Sequence, residues 1–399
     1  MSFASSNRVA LRYIEEVTWG ITPATPALQA LRFTDESINY NADFITSEEI
    51  RSDRMTSDTI QVSSSAGGDA NGELSYATYD DFFEGAMNES WALTGSAEGA
   101  QTDISITKTG GSPNTWTIDS AALADFSDNG FVVGQFISIV GFSVAGTFYA
   151  EITSIAALSL GIKPLTDVAS EIAGDSVVVD GLDFVRNGTT KFSYTIQKGF
   201  LDITTPELWN FTGARVASMG MELATGSILE MTFSFLAKDA LMTETQFAGA
   251  TIVPANTNTI MNAVDNVASI TFDGDPGANQ FSFSSLSIEL DNNLRGQEAV
   301  GTLGFIGVEP GRLMLTGSIE LYFEDSTLYD NFRAATAFQL VFRVADATGQ
   351  HYIVDVPRAK YTSMEIVAGG LDQDIFASAE FEAIINAAGT YQFQISRGA

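Results

Sequence analysis

Polar and apolar residues alternate one for one through much of this chain, and a period of two admits few folds. LSIEL (286–290), TGSIELYF (316–323), TKFSYTI (190–196) and FQLVFRV (338–344) each gather their large apolar residues on one side. That is the pattern of a β-strand with one buried face. Glycine, present 35 times, marks turns between such runs, as at Asn187-Gly188 and Asp273-Gly274. Helical spacing is brief. In YDDFFEGAM (79–87) Phe82, Phe83, Ala86 and Met87 share a face, and in STLYDNFRAAT (326–336) Leu328, Tyr329 and Phe332 do. Asp80 and Ser326 are the expected N-caps. The chain is expected to be mostly β with a few short helices.

The runs also recur in order. GELSYATYDDFFEGAM from Gly72 and GSIELYFEDSTLYDNF from Gly317 each lead from a glycine through a strand into a short helix with acids at its start. Upstream, ESINYNADFITSEEIRSDR and SLSIELDNNLRGQEAVG each set a strand before a charged segment that reads as a long hairpin loop. Downstream, residues 190–238 parallel 338–384: strand, turn, basic residue, Met-containing strand, Gly-marked turn, amphipathic strand. Three matched blocks in one order point to an internal duplication. Between the helix near residue 87 and the strand at 190 the first copy carries about ninety extra residues with strand-like runs TWTID, FVVGQFISIV, TFYAEITSI and DSVVVDG. They suit a small β-barrel or Ig-like sandwich inserted at a surface loop, where insertions cost little. The expected organisation is an arm over 1–28, a first module from 29–92 with 183–250, an inserted domain over 93–182, and a second module over 265–399.

With 399 residues the chain exceeds one ordinary hydrophobic core. Nineteen Lys and Arg stand against fifty Asp and Glu, a formal charge of −31. Phosphate binding needs clustered cations, so a role that grips nucleic acid is disfavoured. The absence of cysteine removes disulfides, thiolate nucleophiles and Cys-ligated zinc. MSFASSNRVALRYIEE lacks the apolar core of a signal peptide, and no run reaches the roughly 18 apolar residues of a membrane helix. A product made in the cytoplasm, soluble and without membrane contact, is expected.

Catalytic signatures are missing. His351, the one histidine, lies in GQHYIVDV and reads as a partly exposed structural residue; no G-x-S-x-G elbow accompanies it. FDGDPGAN (272–279) and GGDANGE (ending at Glu73) cluster Asp, Asn and Gly but do not complete a calcium loop's spacing, and read as tight turns. There is no Walker loop, no dinucleotide fingerprint and no histidine pair at metal spacing. Trp19, Trp91, Trp116 and Trp209 are too scattered for a sugar platform. No enzyme and no cofactor or metal are expected.

The chain resembles the tail-tube (major tail) proteins of long-tailed, non-contractile bacteriophages. The resemblance is carried by EEVTWGITP (15–23), RSDR (51–54), GDANGELSYATYDDFFEGAM, RNGTTKFSYTIQKGF (186–200), FTGARVASMGMEL (211–223) and GSILEMTFSFLAKD (226–239). It covers most of the first half directly and the second half through the repeat. It implies a β-sandwich flanked by a short helix, and with the internal duplication the expected fold is mostly β: two duplicated tail-tube-type β-sandwich modules, each with a short helix, plus the inserted domain. It also implies sheets that join between subunits around a hollow bore. Most such proteins form hexameric rings with one tube domain per chain. Two modules per chain imply three copies with pseudo-sixfold symmetry, carrying 3 × −31 = −93 charges per ring, an acidic bore that repels passing phosphates. A hexamer is the alternative. The implied partners are further copies in stacked rings, the tape-measure protein and DNA within the bore, and tail terminator and baseplate proteins; the implied location is the virion tail.

Within that frame, Trp19 and Pro23 are expected to anchor the arm on another subunit, the competing expectation being that Trp19 packs on its own domain. The charged segments 43–68 and 291–312 are candidate hairpins reaching the next ring through Glu48, Glu49, Arg51, Asp53 and Arg54, and through Arg295, Glu298 and Arg312; solvated loops are the other reading. The insertion is expected to face outward. Rival readings are another β-rich virion decoration, a surface adhesin or carbohydrate-binding protein, and a β-sandwich enzyme.

Overall fold

The computed structural model describes residues 3–93, 97–110, 114–122, 124–272, 282–368 and 370–398. It is mostly β with two short α-helices. Of the first half, β1 (Val9–Glu15), β2 (Asn39–Thr46), β3 (Thr59–Glu73), α1 (Asp80–Met87), β4 (Tyr194–Phe200), β5 (Glu207–Ala224) and β6 (Glu230–Ala237) matter here. Of the second, β7 (Val267–Phe272), β8 (Phe283–Asp291), β9 (Met314–Tyr322), α2 (Thr327–Arg333), β10 (Phe338–Ala345), β11 (His351–Val367), β12 (Phe376–Ala383) and β13 (Gln394–Gly398) do.

Eight of these strands form one continuous antiparallel run, β2–β3–β6–β5–β8–β9–β12–β11, four from each half. β6 shows why they pair with a fixed face: Met231, Phe233, Phe235 and Ala237 are buried while the residues between them are not. A one-residue slip would bring that set to the surface. β5 and β11 are each shared between two layers. β5 pairs with β4 through Glu207–Ala214 and with β6 from Arg215 on; β11 pairs with β10 through its first part and with β12 from Ala359 on. In both, the ladder to the β6 or β12 partner breaks register within the shared segment, after Val216 and after Tyr361. A bulge bends and twists a strand, and here one strand serves both layers. β1 completes the second layer of the first half by pairing with β4, as β7 does by pairing with β10.

α1 lies against the core side of this arrangement. Phe82 and Phe83 are fully buried, with rings 5.4 and 5.9 Å from that of Phe233, and burying each is worth roughly 2–3 kcal/mol. Asn88, left-handed at φ 51°, ends the helix. Asp80 is not its N-cap, contrary to expectation: Tyr79 holds that place, and Asp80 is the first helical residue. Its carboxylate instead accepts from Tyr352 Oη and pairs with Arg397, both in the second half. Ser326 does sit at the start of α2, but its hydroxyl donates to Asp330 (3.0 Å) and caps no backbone amide.

Residues 97–181 contain a separate seven-stranded sheet, strand order first, seventh, fourth, fifth, sixth, third, second. It has its own core around Trp116, Phe126, Ile139 and Ile152. The strand expected across FVVGQFISIV begins only at Phe136, because Gly134 takes φ +81° and Gln135 N–H closes a turn on Val132 O. GGDANGE is not a turn either; it is the end of β3. Its glycines are steric: at Gly68 (φ +140°) a Cβ would stand 2.5 Å from Ser37 O. FDGDPGAN lies, from Asp273 on, outside the described residues.

Candidate functional site

The eight-stranded run presents a face that its two halves do not cover. Between the residues that enter the core, their neighbours point away; most are serines, threonines, glycines and acids, with Lys360 opposite Glu382, and Tyr322 opposite Phe376, among them. The carboxylates of Asp69, Glu222, Glu289, Glu320, Glu365 and Glu380 stand on this face, on six different strands. Carboxylates spaced across a sheet repel a polyanion and offer it no donor.

The two margins of the run are β2 and the second part of β11. Among the described residues, 39–46 pair with β3 alone, and 362–367 pair with β12 alone. Such margins carry rows of backbone donors and acceptors ready for another strand. Apolar residues stand beside both: Phe44 and Ile45 on one, Ile366 and Val367 on the other, all exposed.

The junction between the halves is closed. β5 pairs with β8 from Ser218↔Asp291 to Ala224↔Ser285. Asn292, buried beside it, donates from Nδ2 to Ala86 O and Val216 O, both 3.0 Å, and accepts from Asn88. Behind the sheet, Arg397 pairs with Asp80 and stacks on Trp91 at 4.3 Å. Burial raises the Asp80 carboxyl above its usual value, opposed by the bonds from Tyr352 and Arg397.

The inserted sheet docks on β10 and β11. Tyr149 lies between Arg343 (4.0 Å) and His351 (4.6 Å), and Gln339 Nε2 donates to both Glu151 and Asp355 at 3.0 Å. Tyr391 Oη also donates to Asp355. Complete burial, and then Glu151, push the Asp355 carboxyl up to about 8. His351 is buried rather than partly exposed as expected, and burial lowers it to about 4. Nδ1 lies 2.8 Å from Gly349 O. A perturbed acid and histidine would suit catalysis in a cleft, but these two lie sealed between two sheets.

Trp19 is held by its own chain: Nε1 donates to Gly213 O (3.0 Å), and Lys238 Nζ stands 4.8 Å above the ring. Glu16, buried, accepts from Gly213 N–H, Thr195 and Ser193 and fixes the approach. Val9–Glu15 is a sheet strand, and Pro23 is half-buried. Glu48, Glu49, Arg51, Asp53 and Arg54 all lie exposed at the tip of the β2–β3 hairpin, with Arg51 and Asp53 paired at 2.7 Å. Arg295, Glu298 and Arg312 are exposed around a second, two-stranded hairpin, Arg295–Gln297 with Gly307–Glu309. That hairpin's loop rests on the base of the first, a Cβ at Gly304 falling 3.2 Å from Ser64 Oγ. Trp91 and Trp116 are buried, which removes them from any sugar platform. Among the described residues no His, Asp and Glu group is arranged to hold a metal ion, and no helix is long and apolar enough to cross a membrane.

Sequence reasoning expected joining sheet edges and an acidic bore, but not which strands supply them. The signal was present as alternating Ser and Glu in SLSIEL and ASAEFEA. A family model described as phage tail tube protein matches residues 6–383. No match was found among curated proteins.

Proposed function

The chain belongs to the phage tail tube protein family, a structural component of the virion tail, and from that premise we propose how it builds the tube. Copies join edge to edge through the margins of the eight-stranded run, and three chains close a ring. Each chain supplies two tube modules, 29–92 with 183–250 and 265–399, so that 3 × 8 = 24 strands surround the bore. Rings stack, DNA passes through the bore toward the host, and the polymer meets tape-measure protein inside it and terminator and baseplate proteins at its ends. The protein performs no catalysis.

The observation that carries this reading is the run itself, whose two margins have no second strand among the described residues and whose uncovered face is rich in acids. In a lone domain such margins would be an aggregation hazard; in a polymer they are the joint. Repulsion among carboxylates on the wall is screened beyond about 8 Å at physiological salt, so strand pairing prevails while the wall still repels phosphate. The tip of the β2–β3 hairpin and the Arg295–Glu309 hairpin reach the next ring. The inserted sheet, 93–182, stands on β10 and β11, away from the acidic face, and decorates the outside.

Electron microscopy of the purified protein tests this. Hollow stacked rings with threefold symmetry in cross-section are expected; isolated particles at every concentration and salt condition would overturn the reading.

A further inference from the structure

The chain contains the template for its own ring closure. β5 and β11 match position by position when aligned on their register breaks: Val216 with Tyr361, Ser218 with Ser363, Met219 with Met364, Met221 with Ile366. The same ladders carry the match outward. Ser287 lies opposite Ser318, which faces Glu380; Ser37 N–H bonds Asp69 O, and Asp69 faces Ser234. Residues 285–291 of β8 thus correspond to residues 35–41. β5 is covered by β8, whereas among the described residues neither 363–367 of β11 nor 35–41 has a second strand neighbour.

We propose that the closing joint repeats the internal one: β11 of one copy pairs antiparallel with residues 37–42 of a second copy, in the register Ser363↔Asn41, Glu365↔Asn39, Val367↔Ser37. This deepens the tube reading and rests on it. Burial supports it independently. Met219 and Met221, under β8, are 1% and 4% exposed, whereas Ile366, the counterpart of Met221, is 36% exposed. The register also matches faces and charge. Exposed Asn39 meets exposed Glu365, neutral against acid, as Gly220 meets Glu289 in the template, and like charges are not set opposite each other. In the unjoined chain this margin is guarded. Ile38 N–H donates to Glu36 (3.0 Å), Ile38 O accepts from Lys198 (3.3 Å), and the two side chains pair at 2.7 Å. Charged residues at an edge deter stray pairing, and this pair swings aside when the proper strand arrives.

The chain has no cysteine, so an engineered pair reports alone. In the template, Asn292 N–H bonds Ala217 O and Thr225 N–H bonds Ser284 O, which makes 220↔289 a non-hydrogen-bonded position. Its counterpart 365↔39 brings Cα atoms to about 4.5 Å, within disulfide range. Asn39→Cys with Glu365→Cys, assembled reduced and then oxidised, is expected to give covalently linked rings on non-reducing denaturing gels. Asn41→Cys with Glu365→Cys, two residues out of register, is expected to leave monomers. Linkage in the shifted pair, or none in the first pair within tubes, overturns the register. Should the variants fail to assemble, amide hydrogen exchange on the unaltered chain decides. Slowing at Ile38, Tyr40, Met364 and Ile366 on tube formation is expected. Tubes without that slowing overturn the joint and leave the tube reading standing, whereas a chain that never assembles overturns both.

Discussion

β5 and β11 are nearly the same strand in two situations. Both are long, both break register at the same point, and both hold their first part in one layer and their second in another. β5 has a neighbour on each side of its second part and β11 has one. The helices repeat the contrast. α1 buries Phe82, Phe83 and Met87 and sends Asp80 to Tyr352 and Arg397 of the second half, whereas α2 buries Leu328 and leaves Tyr329 exposed. The first half is covered by the second, whereas among the described residues the matching part of the second half has no such cover. Exposure at one site is thus set against burial at its counterpart.

The sharpest way to break that comparison is one substitution placed at both counterparts. Met221→Asp puts an unpaired charge in the core and is expected to cost about 4 kcal/mol of chain stability in urea unfolding. Ile366→Asp should change monomer stability by less than about 1 kcal/mol yet abolish ring formation. Equal effects on folding at the two sites would deny that they differ only in cover. Next in size, Asp80→Ala leaves Arg397 only the longer 3.6 Å contact to Asp183 and is expected to cost about 3 kcal/mol. At exposed Asp330 of α2 the same truncation should stay within about 0.5 kcal/mol.

The seat of the inserted sheet gives a pH test. Asp355 is raised in the folded chain to about 8 from the 3.8 of a free carboxyl. The native state then holds a proton that the unfolded state has lost, so stability falls from about pH 4 to about pH 8 and levels off above. Asp355→Asn should remove that slope, about 1.4 kcal/mol per pH unit, and gain most on the parent near pH 8. His351 acts oppositely: lowered to about 4 from 6.5, it contributes stability that is present above pH 6.5 and is lost as pH falls toward 4. Melting curves of His351→Gln against pH should flatten on the acid side only. The smallest effect is expected at the hairpin tip. Arg51→Glu with Arg54→Glu should leave the monomer's melting temperature unchanged and shorten stacks measured by light scattering; unaltered stack length would assign this tip to solvent.

Much of the β framework was legible because a strand alternates its side chains, and runs such as FQLVFRV record that alternation directly. GGDANGE escaped because Gly, Asp and Asn disfavour strands by propensity; packing of β3 between β2 and β6 overrode it. FVVGQF misled in the other direction, an apolar run broken by Gly134 at a positive φ. Asp80 satisfied a local capping rule but answers to Tyr352, 272 residues away. The partners of Trp19 and His351, Gly213 and Tyr149, are likewise invisible to spacing. That sheet edges would join was expected, but which strands lie open was not legible, since an edge is defined by which strand fails to arrive.

By itself the sequence determined the β character, the two short helices, the repeated order of elements and the acidity, because each is written in residue type and local period. Only the tertiary structure decided that β5 is covered by β8 while β11 is not, that the acids gather on one face, and that Asp80 and Asp355 are buried. Those outcomes depend on long-range strand pairing, in which contacts hundreds of residues apart outweigh any local preference.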